Sequence, residues 1–175
     1  MTIRSKNDRG KDEWFRYSYK EPGFVRIDFI RPHDGATLIY SPVLKCAPLW
    51  PFGIDHFPGL DLHPHNALIT SAQGHYVDQS DVVSLFKKIL LLERSGQIEQ
   101  LDKDISATQK KQHFLITGMN GFSVDGVHQY DLWFDDVSHF LIKMIGRNLQ
   151  GKIIETVTME NLQININFPV SFFKS

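Results

Sequence analysis

The sequence predicts a mainly β, α+β domain in which a single curved antiparallel sheet forms an unclosed β-barrel around one helix. Segments of alternating apolar and polar residues recur at intervals of about ten residues, separated by turn residues, which indicates antiparallel pairing. Only residues 80–95 show a helical period. Because one helix cannot cover both faces of so many strands, we expect the sheet to curve, with the helix plugging its concave face.

Length and charge restrict the classes of protein that the chain can represent. Its 175 residues correspond to a single domain spanning positions 1–175. The 19 Lys and Arg against 20 Asp and Glu argue against a dedicated nucleic-acid-binding protein. The single cysteine, Cys46, excludes an intrachain disulfide and a cysteine-only zinc site. No apolar run approaches the roughly 18 residues that span a bilayer, and positions 1–10 lack the apolar region of a signal peptide.

The first part of the chain predicts four strands. Residues 13–19 and 24–30 alternate on either side of Glu21-Pro22-Gly23, which is the pattern of a β-hairpin. After Asp34-Gly35 we expect a third strand at residues 36–40 and a fourth at residues 43–47. The antiparallel sheet therefore begins in this part of the chain.

The middle of the chain predicts a loop and then the helix. Residues 48–74 contain four of the eight prolines, and we expect a long ordered loop with a short strand near residues 67–71. The helix at 80–95 has Asp78 or Ser80 as its cap and Gly96 in a left-handed conformation after its last turn. The polar residues 97–111 predict a loop or a helical extension.

The rest of the chain again predicts strands. Asn120-Gly121 and Asp125-Gly126 are turn dipeptides between them. Leu162, Ile164 and Ile166 alternate strictly with polar residues and predict the last strand. The expected strands in this part are residues 113–118, 130–134, 140–145, 153–159 and 162–166.

Histidines provide the only metal-ligand pattern in the sequence. His56, His63, His65 and His75 lie close to Asp55 and Asp61, and His63-x-His65 suits two ligands on an extended segment. Neither His-Glu-x-x-His nor Cys-x-x-Cys occurs, so polar loop residues are the favoured interpretation. A metal-dependent enzyme built on this cluster stays open as a minor alternative.

Patterns for covalent catalysis are incomplete. Gly121-Phe-Ser123-Val-Asp125 departs from a nucleophile elbow, because Asp125 stands where the second glycine belongs. A lone Cys46 in a strand is typical of a small buried residue. No glycine-rich phosphate loop is present. We therefore predict a protein that is not an enzyme and holds neither a metal nor a cofactor.

Aromatic residues are the most informative feature of the composition. The chain has 13 Phe, 5 Tyr and 3 Trp, many of them on alternating strands. They are compatible with an ordinary core or with a concave pocket for an apolar ligand, with the helix as plug or lid. In the second case the predicted lining residues are Phe15, Tyr17, Val25, Ile27, Phe29, Phe86, Ile89, Leu132, Phe134, Leu162, Ile164 and Ile166.

Several segments together resemble a known family. They are the run from Trp14 to His33 with its two strand-ending prolines, the following Asp34-Gly-Ala-Thr-Leu-Ile-Tyr-Ser-Pro42, and residues 74–81, 153–159 and 161–169. This pattern resembles the LolA-like superfamily of bacterial envelope carriers, which includes LolA, LolB and the sensor domain of RseB. It is most similar to the branch of outer-membrane lipoprotein-sorting proteins.

The resemblance implies non-catalytic binding and carriage of acyl chains of a lipoprotein or lipid, by a monomer in the periplasm or cell envelope that binds no nucleic acid. It also implies an alternative, in which the same fold is a sensor or interaction module that binds a protein partner. Glu21 stands at the lid-latch position, where LolA has an arginine. The signal peptide, first helix and first strand of the family are expected to be missing or truncated here.

Overall fold

The computed structural model describes residues 1–56, 58–71, 74–79, 82–106 and 109–174. Ten strands form one sheet in the order β5-β4-β3-β2-β1-β10-β9-β8-β7-β6. Its two end strands are not paired with each other, so the sheet is not closed into a barrel. Its strands are β1 Thr2–Asn7, β2 Asp12–Lys20, β3 Phe24–Arg31, β4 Thr37–Tyr40, β5 Leu49–Trp50, β6 Gly96–Ser106, β7 Gln109–Gly118, β8 Gln129–Asp135, β9 Leu141–Arg147 and β10 Ile153–Glu160.

Within the described residues the chain has one α-helix, α1 at Val82–Arg94, and three short 3-10 helices at Ala67–Ile69, Val77–Gln79 and Met119–Gly121. A mainly β fold with one open antiparallel sheet and a single helix was predicted, and this prediction is confirmed. Over the same residues, none of these helices combines the length and the apolar character needed to cross a bilayer.

The chain divides into two compact units. Unit 1 comprises Met1–Arg4, Asp12–Ser84 and Glu160–Ser175, and unit 2 comprises Ser5–Lys11 and Leu85–Met159.

The hairpin of β2 and β3 organises unit 1. Phe15 lies opposite Phe29, Tyr17 opposite Ile27, and Tyr19 opposite Val25. Since side chains alternate across a strand, these residues share one face, as the sequence predicted. Tyr17, Val25 and Ile27 are buried and form part of the core.

Two strands predicted between β4 and α1 are wrong. Residues 42–45 form a turn closed by a bridge between Ser41 and Cys46, because the Ser41 hydroxyl accepts a hydrogen bond from the Leu44 amide at 3.3 Å and Lys45 takes a φ of +51°. The strand that pairs with β4 is Leu49–Trp50 instead. Near residues 67–71 the chain forms a 3-10 helix, because the Asn66 side chain caps it by accepting from the Leu68 amide at 2.9 Å.

The predicted last strand, 162–166, is also wrong. Asn161 and Asn165 adopt φ values of +53° and +59°, which interrupt an extended backbone. Ile164 and Ile166 are 56% and 44% exposed. Beyond them the chain returns to the sheet, where Phe168, Phe172 and Phe173 pack against the buried residues Ile39 and Trp50.

Most of helix α1, from Leu85 to Arg94, lies in unit 2. It buries Ile89 and Leu92, and Leu92 contacts β7 at Gly118, where an added Cβ would lie 3.1 Å from the leucine Cδ1. The described helix begins at Val82, so the predicted cap Ser80 lies outside the described residues, whereas Asp78 lies in a separate 3-10 helix. Gly96 is not left-handed but opens β6, and a Cβ there would clash with the Thr117 carbonyl oxygen.

Residues 97–111 were predicted as a loop or helical extension, and this prediction is wrong. Residues 97–106 belong to β6 and residues 109–111 to β7, and these strands pair with Ile98 opposite Ile116 and Gln100 opposite Phe114. Residues 107 and 108 lie outside the described residues. The polar composition of this segment is explained by the position of β6 at the end of the sheet, where it has one neighbouring strand and its residues 97–100 are exposed. A strand at the edge of a sheet tolerates polar residues on both faces.

Strand β1 was not predicted from the sequence. Ile3, Ser5 and Asn7 alternate as buried residues along it, but two of the three are polar. The Asn7 side chain accepts hydrogen bonds from the Arg9 and Lys11 amides at 3.0 Å and shapes the turn that follows. The alternation of apolar residues along β1 is therefore too weak to predict a strand.

Candidate apolar binding site

The predicted lining residues on β2 and β3 of unit 1 differ in how far they are buried. Tyr17, Val25 and Ile27 are buried, whereas Phe15 and Phe29 are only partly buried. The Phe15 and Phe29 rings lie 6.1 Å apart at an interplanar angle of 55°, and the His33 ring packs edge-on against Phe29 at 6.1 Å. This aromatic pair therefore forms an accessible edge of an apolar face on which Tyr17, Val25 and Ile27 are buried.

The predicted lining residues of unit 2 separate in the same way. Ile89 and Leu132 are buried, while Phe86 and Phe134 are partly buried and stack at 6.4 Å. Phe114 of β7 adds a third ring, edge-on to Phe134 at 5.8 Å. Phe114 was missed as a lining residue, although alternation with Ile116 along β7 was the signal that could have identified it.

Four predicted positions lie outside the strands. Leu162, Ile164 and Ile166 follow β10 without belonging to a strand. Glu21, the expected lid-latch position, is exposed in the turn between β2 and β3.

The histidine segment of unit 1 is held by ordinary side-chain contacts. His65 Nε2 lies 2.9 Å from Asp78 Oδ2, and its ring stacks on Tyr76 at 4.2 Å. The His63 ring packs edge-on against it at 5.2 Å. In the part of the chain that the structure describes, no group of three or more His, Cys, Asp or Glu residues could hold a metal ion.

Cys46 is not in a strand but closes the turn that begins at Ser41. Its Sγ lies 3.9 Å from Asp61 Oδ1. Burial and, after it, the negative charge of Asp61 raise the pKa of the Cys46 thiol. A raised pKa keeps the group as a thiol at neutral pH, which is the opposite of what a cysteine nucleophile needs.

Sequence reasoning also missed a charged cluster on β7, β8 and β9. Asp131 accepts from Arg147 Nε at 3.2 Å through Oδ2, and its Oδ1 lies 3.0 Å from His113 Nε2. Trp133 lies between the His113 ring, stacked at 4.2 Å, and the Lys143 ammonium, 4.6 Å from the ring centroid. Cross-strand register places these residues together, so sequence spacing alone gives no signal for them.

Comparison with known proteins gives a likeness at the level of structure. No family model and no curated protein matches the chain. A conserved protein from Thermus thermophilus matches 91% of this chain and 73% of its own length, at 7% identity and a TM-score of 0.50. MucB matches 99% of this chain at 12% identity and a TM-score of 0.50. A LolA superfamily protein from Nitrosomonas europaea matches 93% of this chain and 68% of its own length, at 13% identity and a TM-score of 0.41.

The chain spans 55% of the length of MucB, which has also been solved in complex with MucA. Identities this low show a common fold and leave ligands and partners open. The expectation of a LolA-like fold, drawn from the segments at residues 14–42 and 153–169, is confirmed at that level. The chain therefore has the same fold as MucB and the Thermus thermophilus protein.

Proposed function

We propose that this protein binds acyl chains of a lipoprotein or lipid in the bacterial cell envelope, as a monomer and without a catalytic step. The observation that carries the proposal is the pair of partly exposed rings, Phe15 and Phe29, at the edge of a buried apolar face. A second aromatic group, Phe86, Phe114 and Phe134, has the same character in the other unit. Aromatic rings with one face open can accept an apolar chain without unfolding the core beneath them.

Apolar burial alone supplies enough free energy for this function. Each buried methylene contributes about 0.8 kcal/mol, so a long acyl chain contributes on the order of 10 kcal/mol before the costs of binding. Such a ligand needs no hydrogen bond from the protein. Its release then requires a partner or a conformational change that competes for the same apolar surface.

Substitution of Phe29 tests the proposal. Phe29→Glu places a charge beside Phe15, and a buried charge opposes an apolar chain. The matched control is Phe52→Glu, which makes the same change at a side chain of the same unit that is 69% exposed. We expect Phe29→Glu to lose binding of a fluorescent long-chain fatty acid while keeping the wild-type circular dichroism spectrum, and Phe52→Glu to bind normally. Equal affinity in the two variants would contradict this site.

A second candidate is an interaction module that binds a protein partner. MucB, which has the same fold, has been solved with MucA bound. In addition, Tyr17, Val25, Ile27, Ile89 and Leu132 are already buried by the protein's own atoms, as this alternative expects. Native mass spectrometry of the purified protein separates the two candidates. A bound lipid favours the carrier, whereas a clean apo mass with no lipid uptake favours the interaction module.

A further inference from the structure

Unit 1 contains a pocket that is separate from the aromatic pair. Its volume is about 550 Å³, within the range of small-molecule sites. Phe24 of β3 and Ile39 of β4 form one wall, and Phe173 forms another. Because side chains alternate along a strand, Phe24 and Ile39 lie on the face opposite Val25. None of the predicted lining residues takes part in this pocket.

The third wall is a turn with apolar side chains at its tip. Val43 and Leu44 line the pocket and are 74% and 70% exposed. Backbone hydrogen bonds fix this turn, because Ser41 N donates to Cys46 O at 3.1 Å and Lys45 N donates to Ser41 O at 2.9 Å. Turns ordinarily carry polar residues, so two large apolar side chains at a pocket mouth indicate a surface that an apolar ligand covers.

The polar groups of the pocket indicate the chemistry of that ligand. The Ser41 hydroxyl accepts from the Leu44 amide, so it is engaged with the protein itself. The lining contains one carboxylate, Asp61, whose Oδ1 lies 3.9 Å from Cys46 Sγ, and one ammonium group, that of Lys174, and most of the rest is apolar. This combination suits an aliphatic chain whose anionic head pairs with Lys174.

We propose that this pocket is a second ligand site, which takes the chain of a single-chain anionic amphiphile such as a fatty acid. The inference goes beyond the proposed function, because it places a ligand on the opposite face of β3 and does not require the Phe15–Phe29 edge.

Cys46 makes the site directly observable. It is the only cysteine of the chain and it lines the pocket. The rate of its alkylation by N-ethylmaleimide at pH 8.5, followed by mass spectrometry, reports whether the pocket is filled. We expect lauric acid, at concentrations that native mass spectrometry shows to be bound, to slow alkylation in proportion to occupancy. Unchanged alkylation of the wild type at full occupancy overturns the proposal.

Two variants test the pocket wall. Leu44→Asp introduces a carboxylate at the pocket mouth, and its exposure protects the fold from the change. Leu68→Asp is the matched control, because Leu68 is 72% exposed in the same unit and does not line the pocket. Lauric acid is expected to protect Cys46 in Leu68→Asp and not in Leu44→Asp. Equal protection in both variants contradicts the site.

The head-group assignment has its own test. Lys174→Gln is expected to weaken protection by lauric acid while leaving protection by dodecanol unchanged. An equal effect on protection by lauric acid and by dodecanol overturns the assignment of an anionic head group.

The Phe29→Glu variant separates this inference from the proposed function. If lauric acid fails to protect Cys46 in the wild type while Phe29→Glu abolishes fatty-acid binding, only the second site is contradicted. If lauric acid protects Cys46 while Phe29→Glu leaves fatty-acid binding unchanged, only the site at Phe15 and Phe29 is contradicted.

Discussion

Arg26 links the C-terminal segment, residues 168–174, to the sheet. Its Nη1 donates to the Phe172 carbonyl at 3.1 Å, and its guanidinium carbon lies 4.5 Å from the Phe172 ring centroid. The same side chain donates to Asp28 Oδ1 at 3.0 Å through Nε and Nη2. The Arg26 side chain is only 19% exposed, so solvent screens these contacts weakly. We predict that Arg26→Met, which keeps the apolar stem, releases this segment.

The magnitude follows from the two contacts to Phe172. A hydrogen bond from a charged group contributes about 1.5–3 kcal/mol, and a cation–π contact contributes about 0.5–1 kcal/mol. The local opening free energy of the segment therefore falls by about 2–4 kcal/mol. Because 1.4 kcal/mol is a factor of ten, a loss of about 2 kcal/mol alone speeds amide exchange roughly thirtyfold.

Hydrogen exchange measured by mass spectrometry checks this prediction on the peptide that covers residues 168–174. The control is Arg16→Met. Arg16 lies on β2 opposite Asp28 of β3, and its side chain is exposed, so the variant removes the same charge without a contact to residues 168–174 in the described part of the chain. Exchange in the segment is expected to accelerate in Arg26→Met only. Unchanged exchange in Arg26→Met, or equal acceleration in both variants, would refute the reasoning.

Three further predictions concern unit 2. Leu132→Ala, in the buried core, should lower the free energy of unfolding by about 2–5 kcal/mol in urea titration, and a change below about 0.5 kcal/mol would contradict its burial. Gly118→Ala should lower the free energy of unfolding by about 1–3 kcal/mol in the same assay, since the added Cβ would clash with the Phe122 carbonyl oxygen; wild-type stability would show that the backbone yields freely. Burial and, after it, the charge of Glu155 raise the pKa of Tyr130. Below pH ~10 the phenol keeps its proton in both the folded and the unfolded protein. Above pH ~10 the unfolded protein loses this proton first, so the free energy of unfolding falls as the pH rises. Tyr130→Phe should lose less stability than wild type between about pH 10 and 11.5, and identical slopes would exclude this role for Tyr130.

The predictable part of the fold depended on patterns that are local in sequence. The β2–β3 hairpin and helix α1 combine a clear period with clear boundaries, such as Glu21-Pro22-Gly23. The segment 162–166 has an equally strict alternation but fails as a strand, because the two asparagines at 161 and 165 adopt left-handed conformations. Alternation is thus compatible with a strand without requiring one.

The candidate site was harder to predict for a physical reason. Alternation determines which face a side chain occupies, but burial depends on what packs above that face. Phe15 and Tyr17 share a face, yet Tyr17 is buried and Phe15 is partly exposed. The pocket beside Cys46 joins β3, β4, a turn and residues 173–174, and no sequence period connects such distant segments.

The open ends of the sheet have a consequence for colloidal stability. At one end, β5 has only two residues and the Leu49 backbone already pairs with that of Leu60, whereas β6 at the other end has eleven residues. An open edge of that length can add a strand from a second molecule, and Ile98 on it is 54% exposed. The net charge of −1 provides little long-range repulsion between molecules. The exposed carboxylate of Glu99 therefore opposes pairing of this edge with a second molecule. Glu99→Gln should lower the concentration at which the protein begins to aggregate.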